Sequence, residues 1–97
     1  MTSSFDVRVT LHFERLLIAL VGRHEELTER YTDAIRILKN DPYNRTHRHR
    51  IKKLRGTAQG DGQYRISLGR WRFRYDIYRK EVVLHYCGLR REDTYQQ

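Results

Sequence analysis

Two segments near the start of the chain have apolar residues at the i, i+3, i+4, i+7 spacing of one helix face. The two stripes consist of Phe13, Leu16, Leu17, Leu20 and Val21, and of Leu27, Tyr31, Ala34, Ile35 and Leu38. Gly22 is expected to end the first helix, because glycine accepts the left-handed conformation that follows a last helical turn. The second helix begins near Glu25 and ends before Pro42, because proline disfavours helix for the preceding residue. The short link between the stripes predicts an antiparallel helical hairpin.

Five further segments carry strand signals, mostly the alternation of apolar and polar residues that is typical of a half-buried strand. They are residues 5–9, 51–54, 64–68, 71–77 and 82–87. Short turns separate the later segments, which predicts an antiparallel meander. The order β-α-α-β-β-β-β predicts an α+β fold in a single domain, residues 1–97. In this fold a two-helix antiparallel hairpin packs on one face of a small, mainly antiparallel sheet.

Alternation divides the residues of the two central strands between two faces of the sheet. The face expected against the helical hairpin carries Tyr64, Ile66, Leu68, Trp71, Phe73, Tyr75 and Ile77. The opposite face is expected to carry Arg65, Ser67, Arg72, Arg74 and Asp76. Three arginines on one face repel one another, which favours an anion that neutralises them, and an arginine fork binds two phosphate oxygens. The alternative is that Asp61, Asp76 and Glu81 pair with these arginines at the surface.

The charge of the chain changes sharply near its middle. The formal net charge is +8, yet residues 1–44 carry six Lys+Arg and seven Asp+Glu. Residues 45–97 carry fourteen Lys+Arg and five Asp+Glu, so all the excess positive charge lies in the second half. Such asymmetry is typical of a surface for a nucleic acid, an anionic membrane or an acidic partner, and we favour RNA. The alternative is a solvated basic face with no specific partner.

Composition and motifs exclude several classes of function. The single cysteine, Cys87, rules out an intramolecular disulfide framework and a multi-cysteine zinc site, and it fits a reducing cytoplasm. The sequence has no secretory signal, membrane-spanning stretch, P-loop or metalloprotease motif, so we expect a cytoplasmic protein without cofactor or metal. His47 and His49 lie in a basic loop, where they are either solvated or available for acid–base chemistry. The face on which His85 lies depends on a register that alternation does not define.

Three motifs, taken in order along the chain, resemble the RelE/ParE superfamily of toxins from type II toxin–antitoxin systems. The first is Lys53-Leu-Arg-Gly56, and the last is Gly88-Leu-Arg-Arg-Glu-Asp-Thr-Tyr95. Between them lies the longest motif, Gly62-Gln-Tyr-Arg-Ile-Ser-Leu-Gly-Arg-Trp-Arg-Phe-Arg-Tyr75. Together with the β-α-α-β-β-β-β order and the helical hairpin, the resemblance covers nearly the whole chain and implies a RelE-like fold.

The RelE-like branch implies a metal-independent endoribonuclease that cleaves mRNA on the ribosome, with the substrate's own 2′-OH attacking the adjacent phosphate. By motif position, the catalytic residues implied are Arg65, Arg72, Arg90 and Tyr95. Ser67 stands where members with a tyrosine base often carry a lysine, and Arg74 is the residue expected to substitute for it. Other branches use histidine as base, which leaves His47, His49 or His85 in that role. The residues expected to bind RNA are Lys52, Lys53, Arg55, Arg74, Arg91, His47 and His49.

The partners that the resemblance implies are a cognate antitoxin, acidic and partly disordered, and mRNA with the ribosome, and we expect no membrane partner. The ParE branch supplies an alternative function, a toxin that binds DNA gyrase and has no nuclease activity. The cluster of arginines argues against it, because that branch commonly lacks these catalytic cations. A third possibility is a non-toxic RNA-binding relic of the fold. Tyr95 is, in the simplest alternative, an exposed residue of the chain terminus.

Overall fold

The computed structural model describes residues 4–90 and consists of two helices packed on a five-stranded sheet. The elements are β1 (Asp6–Val9), α1 (Leu11–Val21), α2 (Glu26–Asn40), β2 (Ile51–Lys53), β3 (Tyr64–Leu68), β4 (Trp71–Tyr78) and β5 (Glu81–Leu89). The predicted α+β class and the β-α-α-β-β-β-β order are confirmed. Within residues 4–90, the helices are too short or too polar to cross a lipid bilayer.

The strands lie in the order β1-β5-β4-β3-β2. β2, β3, β4 and β5 form the predicted antiparallel meander, whereas β1 pairs with β5 in parallel. The first strand of the chain therefore lies beside the last one, and the two helices lie between β1 and β2 in sequence. The sheet is mixed but mainly antiparallel, as the sequence predicted, while the parallel partner of β1 was not predictable from local pattern.

Helix α1 begins two residues earlier than its apolar stripe. Thr10 caps it, because the Thr10 hydroxyl oxygen accepts a 3.0 Å hydrogen bond from the backbone N–H of Phe13. At the other end Gly22 follows the last turn with φ −60°, a right-handed conformation. The expected left-handed conformation at Gly22 is therefore wrong. The chain instead leaves the helix through a turn in which Gly22 still donates a hydrogen bond to the carbonyl oxygen of Ile18.

Helix α2 ends where the sequence placed its boundary. Glu26 and Glu29 occupy its first turn, where negative charge is favourable beside the positive end of the helix dipole. Asp41 already has a non-helical backbone, and Pro42 follows it fully buried. The carbonyl oxygen of Pro42 accepts a 2.7 Å hydrogen bond from the hydroxyl of Tyr75, which ties the end of α2 to the middle of β4.

The hydrophobic core lies between the helices and one face of the sheet. Its buried members are Phe13, Leu27, Ala34, Leu38, Ile66, Trp71, Phe73, Tyr75, Ile77, Val82, Leu84 and Cys87. Tyr64 and Leu68 pack at its margin, so every residue predicted to face the helices does so. Burying one large apolar side chain contributes about 1.5–3 kcal/mol, which is sufficient to keep the charged residues of β3 and β4 on the other face.

Several strand ends differ from the predicted ones: β1 begins at Asp6, β4 ends at Tyr78 and β5 begins at Glu81, each one residue from the predicted boundary. β2 ends at Lys53 and not at residue 54, and β5 continues to Leu89 and not to residue 87. The extension of β5 follows from pairing, because Leu89 is the register partner of the buried Trp71. Gly88 and Leu89, expected in the polar tail, are therefore part of the sheet.

Candidate functional site

The sheet face opposite the helices carries a row of four paired residues, one from each of four strands, and three of them are cations. Lys52 of β2 is the register partner of Arg65 on β3, and Arg65 is in turn the partner of Arg74 on β4. The row ends on β5 at Tyr86, the partner of Arg74. The sequence predicted Arg65 and Arg74 on this face and Lys52 among the RNA-binding residues, and the pairing of the strands places all three side by side.

A second row runs parallel to the first. Ser67 of β3 pairs with Arg72 of β4, and Arg72 pairs with Gly88 of β5. Arg90 follows β5 directly, and its backbone N–H donates a 2.8 Å hydrogen bond to the carbonyl oxygen of Arg70. We use the name arginine face for the surface formed by Lys52, Arg65, Ser67, Arg72, Arg74, Tyr86 and Gly88.

Like charges directly opposite each other in a sheet destabilise it. Arg65 and Arg74 are such a pair, with Lys52 next to Arg65 on its other side. Arginine keeps its charge in this environment, and its planar guanidinium can bind two oxygens of one phosphate. The arrangement is therefore suited to an anion with several oxygens that contacts two strands at once.

A β-bulge in β5 determines which residue completes the first row. Tyr75 pairs with Leu84, whereas the preceding residue, Arg74, pairs with Tyr86, so His85 is an extra residue in β5. Tyr86 consequently lies on the arginine face, where strict alternation from Leu84 would have turned it toward the core. Tyr86 is not among the site residues that the sequence predicts. The spacing of the buried residues could have revealed it, because Val82 and Leu84 are followed by Cys87 and not by residue 86.

The ring of Tyr86 lies against the backbone of Gly88. A Cβ atom at residue 88 would collide with Tyr86 Oη and lie only 2.8 Å from its Cζ. Since Gly88 is the register partner of Arg72, the Tyr86 hydroxyl lies above the backbone next to Arg72. The absence of a side chain at Gly88 thus allows the hydroxyl of Tyr86, a first-row residue, to lie over the second row of the arginine face.

Asp76 is a buried acidic residue at one end of the arginine face. Its carboxylate is fully buried and accepts hydrogen bonds from the backbone N–H groups of Gly60 (3.0 Å), Gly62 (2.9 Å) and Gln63 (2.9 Å). Oδ2 also lies 2.8 Å from Nε2 of His85, in a geometry that is not a regular hydrogen bond. Asp76 therefore contacts both the loop before β3 and the bulge of β5. This structural role explains why a carboxylate is present among the cations.

Glu81, one of the acidic residues considered as a partner for these arginines, pairs with a different arginine. Glu81 contacts Arg8 at 2.9 Å, on the side of β5 that adjoins β1. The guanidinium of Arg74 donates to carbonyl oxygens of the loop, to Gly62 at 3.1 Å and to Asp61 at 3.2 Å. The guanidinium of Arg74 thus holds the loop before β3. That Arg74 also takes the role of the lysine that other family members carry in place of Ser67 stays a prediction.

The remaining predicted RNA-binding residues are dispersed. Lys53 lies on the opposite side of the sheet from Arg65, with Nζ 5.7 Å from the ring centroid of Tyr64. Arg55 is exposed in the turn after β2, and His47 is exposed in the loop before it. His49 Nε2 lies 4.0 Å from a carboxylate oxygen of residue 41. Arg91 and Tyr95 lie outside the described residues.

Metal ligands are not grouped in the described part of the chain. In residues 4–90, no three His, Cys, Asp or Glu side chains lie close enough together to hold a metal ion. The Cys87 thiol is buried in the core, and burial raises its pKa to about 12. A thiol with this pKa is not a nucleophile near neutral pH.

Comparison with known proteins identifies a similar structure but no similar sequence. No protein-family model and no curated protein matches the chain. A match among solved structures is the RelE chain in the crystal structure of the archaeal RelE–RelB complex from Pyrococcus horikoshii OT3. The TM-score is 0.60 with 22% sequence identity, and the alignment covers 90% of this chain and 96% of that chain. The two proteins share a fold, which confirms the predicted RelE-like architecture.

Proposed function

We propose that this protein is the toxin of a toxin–antitoxin pair and that it cleaves RNA on the arginine face. The observation that carries the proposal is the register of β3, β4 and β5, which sets Arg65, Arg72 and Arg74 beside Tyr86 on one surface. The RelE-like fold supports the proposal, because a chain with this fold forms a RelE–RelB complex in the archaeal structure. The concentration of positive charge in residues 45–97 suits RNA as the substrate.

The reaction that such a surface can support is an internal transfer within RNA. The 2′-oxygen of one nucleotide attacks the adjacent phosphorus, the bond to the 5′-oxygen breaks, and the products are a 2′,3′-cyclic phosphate and a 5′-hydroxyl. The attacking hydroxyl loses its proton and the leaving oxygen gains one, while negative charge develops on the non-bridging oxygens. Positioned cations stabilise that charge in the transition state more than in the substrate.

Each residue of the arginine face has a proposed role in this reaction. Arg72 lies in the second row, next to the Tyr86 hydroxyl, and is the residue proposed to contact the non-bridging oxygens. Arg65 binds the adjacent phosphate from the first row, and the Tyr86 hydroxyl donates a hydrogen bond to the reacting phosphate. Arg90 and Tyr95 are proposed to complete the site from the chain that follows β5. Tyr95, the tyrosine that matches the family motif, is the proposed proton acceptor.

The proposed partner of the toxin is an acidic antitoxin, partly disordered when free. The arginine face presents the charge that such a partner would neutralise, and the second half of the chain carries nine more positive than negative residues. An acidic segment bound there would block access of RNA to Arg65 and Arg72. Inhibition would then follow from occupancy of the site and would need no change in the toxin fold.

A reconstituted translation reaction tests the proposed function. The full-length protein is added with a reporter mRNA, and cleavage is followed by primer extension and by analysis of the new ends. We expect fragments with 5′-hydroxyl ends, made only when ribosomes are present. Arg72→Ala should lower the cleavage rate at least about a hundredfold, in line with the loss of one charge-stabilising donor. Arg23→Ala, which removes an exposed cation from the turn between the helices, should leave the rate unchanged.

The gyrase alternative is tested with the same preparations. A supercoiling assay with purified gyrase should be unaffected by the wild-type protein. Inhibition of supercoiling with intact reporter mRNA would contradict the proposed nuclease and support the ParE-like alternative. Equal mRNA cleavage by the wild type and Arg72→Ala would still support a nuclease but would exclude the arginine face as its active site.

A further inference from the structure

A cleft of about 410 Å³ lies at the end of α2, on the helix side of the sheet. The segment before β1 contributes Phe5, the chain after α2 contributes Tyr43 and Arg45, and the turn between β4 and β5 contributes Arg79 and Lys80. The ring of Tyr43 contacts that of Tyr64, a residue on the core side of β3, at 6.0 Å between centroids. The cleft is therefore separated from the arginine face by the sheet itself.

Aromatic rings and cations contact each other along the walls of this cleft. Phe5 and Tyr43 meet edge to face, with 6.2 Å between ring centroids and 68° between ring planes. Arg45 Cζ lies 5.1 Å from the centroid of the Tyr43 ring, and Lys80 Nζ lies 5.6 Å from that of Phe5. Tyr43 keeps 40% of its surface exposed, so part of this side chain is accessible to a ligand.

The cations of the cleft lack acidic partners among the described residues. Arg45, Arg79 and Lys80 form no ion pair within residues 4–90, although other surface arginines such as Arg8 and Arg36 do. The carboxylate of Asp41 at the cleft wall is already engaged by its own neighbours. It accepts hydrogen bonds from the backbone N–H of residue 45 (2.8 Å) and the hydroxyl of residue 46 (2.6 Å).

Arg79 occupies an unfavourable backbone position for its residue type. Its φ of 57° lies in the left-handed region, in a two-residue hairpin turn where asparagine and glycine are the usual choices. The left-handed conformation costs a residue with a Cβ about 1–2 kcal/mol. The strained residue of this turn is thus also one of the cations that line the cleft.

We propose that this cleft binds an unpaired nucleotide, with the base packed on Tyr43 and the phosphate held by Arg79 and Lys80. Exposed aromatic rings beside cations are the combination with which proteins hold single-stranded nucleic acid, because every base has a face that stacks and every nucleotide a phosphate. The nucleotide belongs either to an RNA strand or to the free pool. This proposal does not depend on cleavage at the arginine face, which lies across the sheet.

Binding to an uncleavable strand tests the proposal without the nuclease reaction. The full-length Arg72→Ala protein is titrated into a fluorescently labelled 2′-O-methyl oligonucleotide, whose blocked 2′-oxygen cannot attack. Within that background, Tyr43→Leu should weaken binding at least about fivefold, the lower end of what one stacked base contributes. Arg79→Asn, which suits the turn but removes the charge, should weaken binding and lower the slope of log K against log salt by about 0.7. The matched control, Arg23→Asn, should change neither the affinity nor the slope.

The choice of ligand in the titration distinguishes a free nucleotide from an RNA strand, and both from other polyanions. If AMP or UMP shifts the NMR resonances of Tyr43, the cleft binds free nucleotides. If only the oligonucleotide binds, the cleft binds an RNA strand. Tripolyphosphate or a polyglutamate peptide that binds as tightly as the oligonucleotide would overturn the proposal. Equal affinity of the parent and Tyr43→Leu, with both shown to be folded by thermal unfolding, would also overturn it.

Discussion

The ring of Tyr86 lies across Gly88, so that a methyl group at residue 88 would collide with the Tyr86 hydroxyl. The relationship results from the bulge at His85, which turns Tyr86 out of the core and onto the surface that carries Arg72. Two neighbours in one strand thereby place a phenolic hydroxyl beside the proposed phosphate contact. Their close contact makes the position of the hydroxyl sensitive to single-atom changes.

Tyr86→Phe should lower the RNA cleavage rate about tenfold or more, because it removes one hydrogen-bond donor from the developing negative charge. Urea unfolding of the variant checks that the fold is retained. Gly88→Ala should lower the rate as well by displacing the ring. Single-turnover cleavage rates measure both effects, and Tyr78→Phe, at an exposed position in β4, is the control. Unchanged rates for both site variants would remove Tyr86 from the proposed mechanism.

Asp76→Ala should destabilise the protein by about 3 kcal/mol, because three backbone N–H groups lose their common acceptor in a buried position. The free energy of unfolding in urea measures the loss. Asp61→Ala, which removes an exposed carboxylate from the same loop, should cost far less. A loss for Asp76→Ala no larger than that for Asp61→Ala would show that the loop is held by other contacts.

Gly62→Ala and Gly56→Ala form a matched pair of substitutions. Both glycines have positive φ, 83° and 74°, so each alanine brings a backbone cost of about 1–2 kcal/mol. A Cβ at residue 62 would lie 3.0 Å from Cβ of Arg74, whereas a Cβ at residue 56 meets no atom within 4 Å. Gly62→Ala should therefore be less stable than Gly56→Ala by about 1 kcal/mol or more in urea unfolding. The reverse order would mean that Arg74 does not pack against the loop as described.

Glu26 should make stability dependent on pH in the acid range. A hydrogen bond of 2.6 Å from the Arg70 guanidinium lowers the pKa of Glu26 to about 2. Because the folded pKa is depressed, the stabilisation is fully present above the unfolded value of about 4.3 and is lost as pH falls through about 2. Glu26→Gln should thus be less stable than the wild type at pH 7, with the difference shrinking toward pH 2. A difference that does not change with pH would contradict this ion pair.

Local pattern was sufficient for the parts of the fold that depend on residues near in sequence. The stripes of α1 and α2 and the alternation in β3 and β4 predicted the core, and with it the face of Arg65 and Arg72. These predictions succeeded because a period of 3.6 or 2 leaves each residue only one side on which burial is favourable.

The features that escaped prediction depend on distant partners. The parallel pairing of β1 with β5 joins residues 6–9 to residues 81–84, and no local signal specifies it. The bulge at His85 lies next to Asp76, one strand away, and it reverses the alternation that would have kept Tyr86 in the core. The sequence predicts RNA binding for Lys53 as well as Lys52, yet adjacent residues of a strand face opposite sides of the sheet, a rule that needs no structure.

The arginine face as an RNA-cleaving site is tested most directly by inducing the protein in growing bacteria and mapping the ends of cellular mRNA. We expect the wild type and Arg23→Ala to arrest growth and to produce new 5′-hydroxyl mRNA ends within minutes. Arg72→Ala, expressed at the same level, should produce neither. Growth arrest with intact mRNA, or the same new ends in cells that express Arg72→Ala, would contradict RNA cleavage on this face.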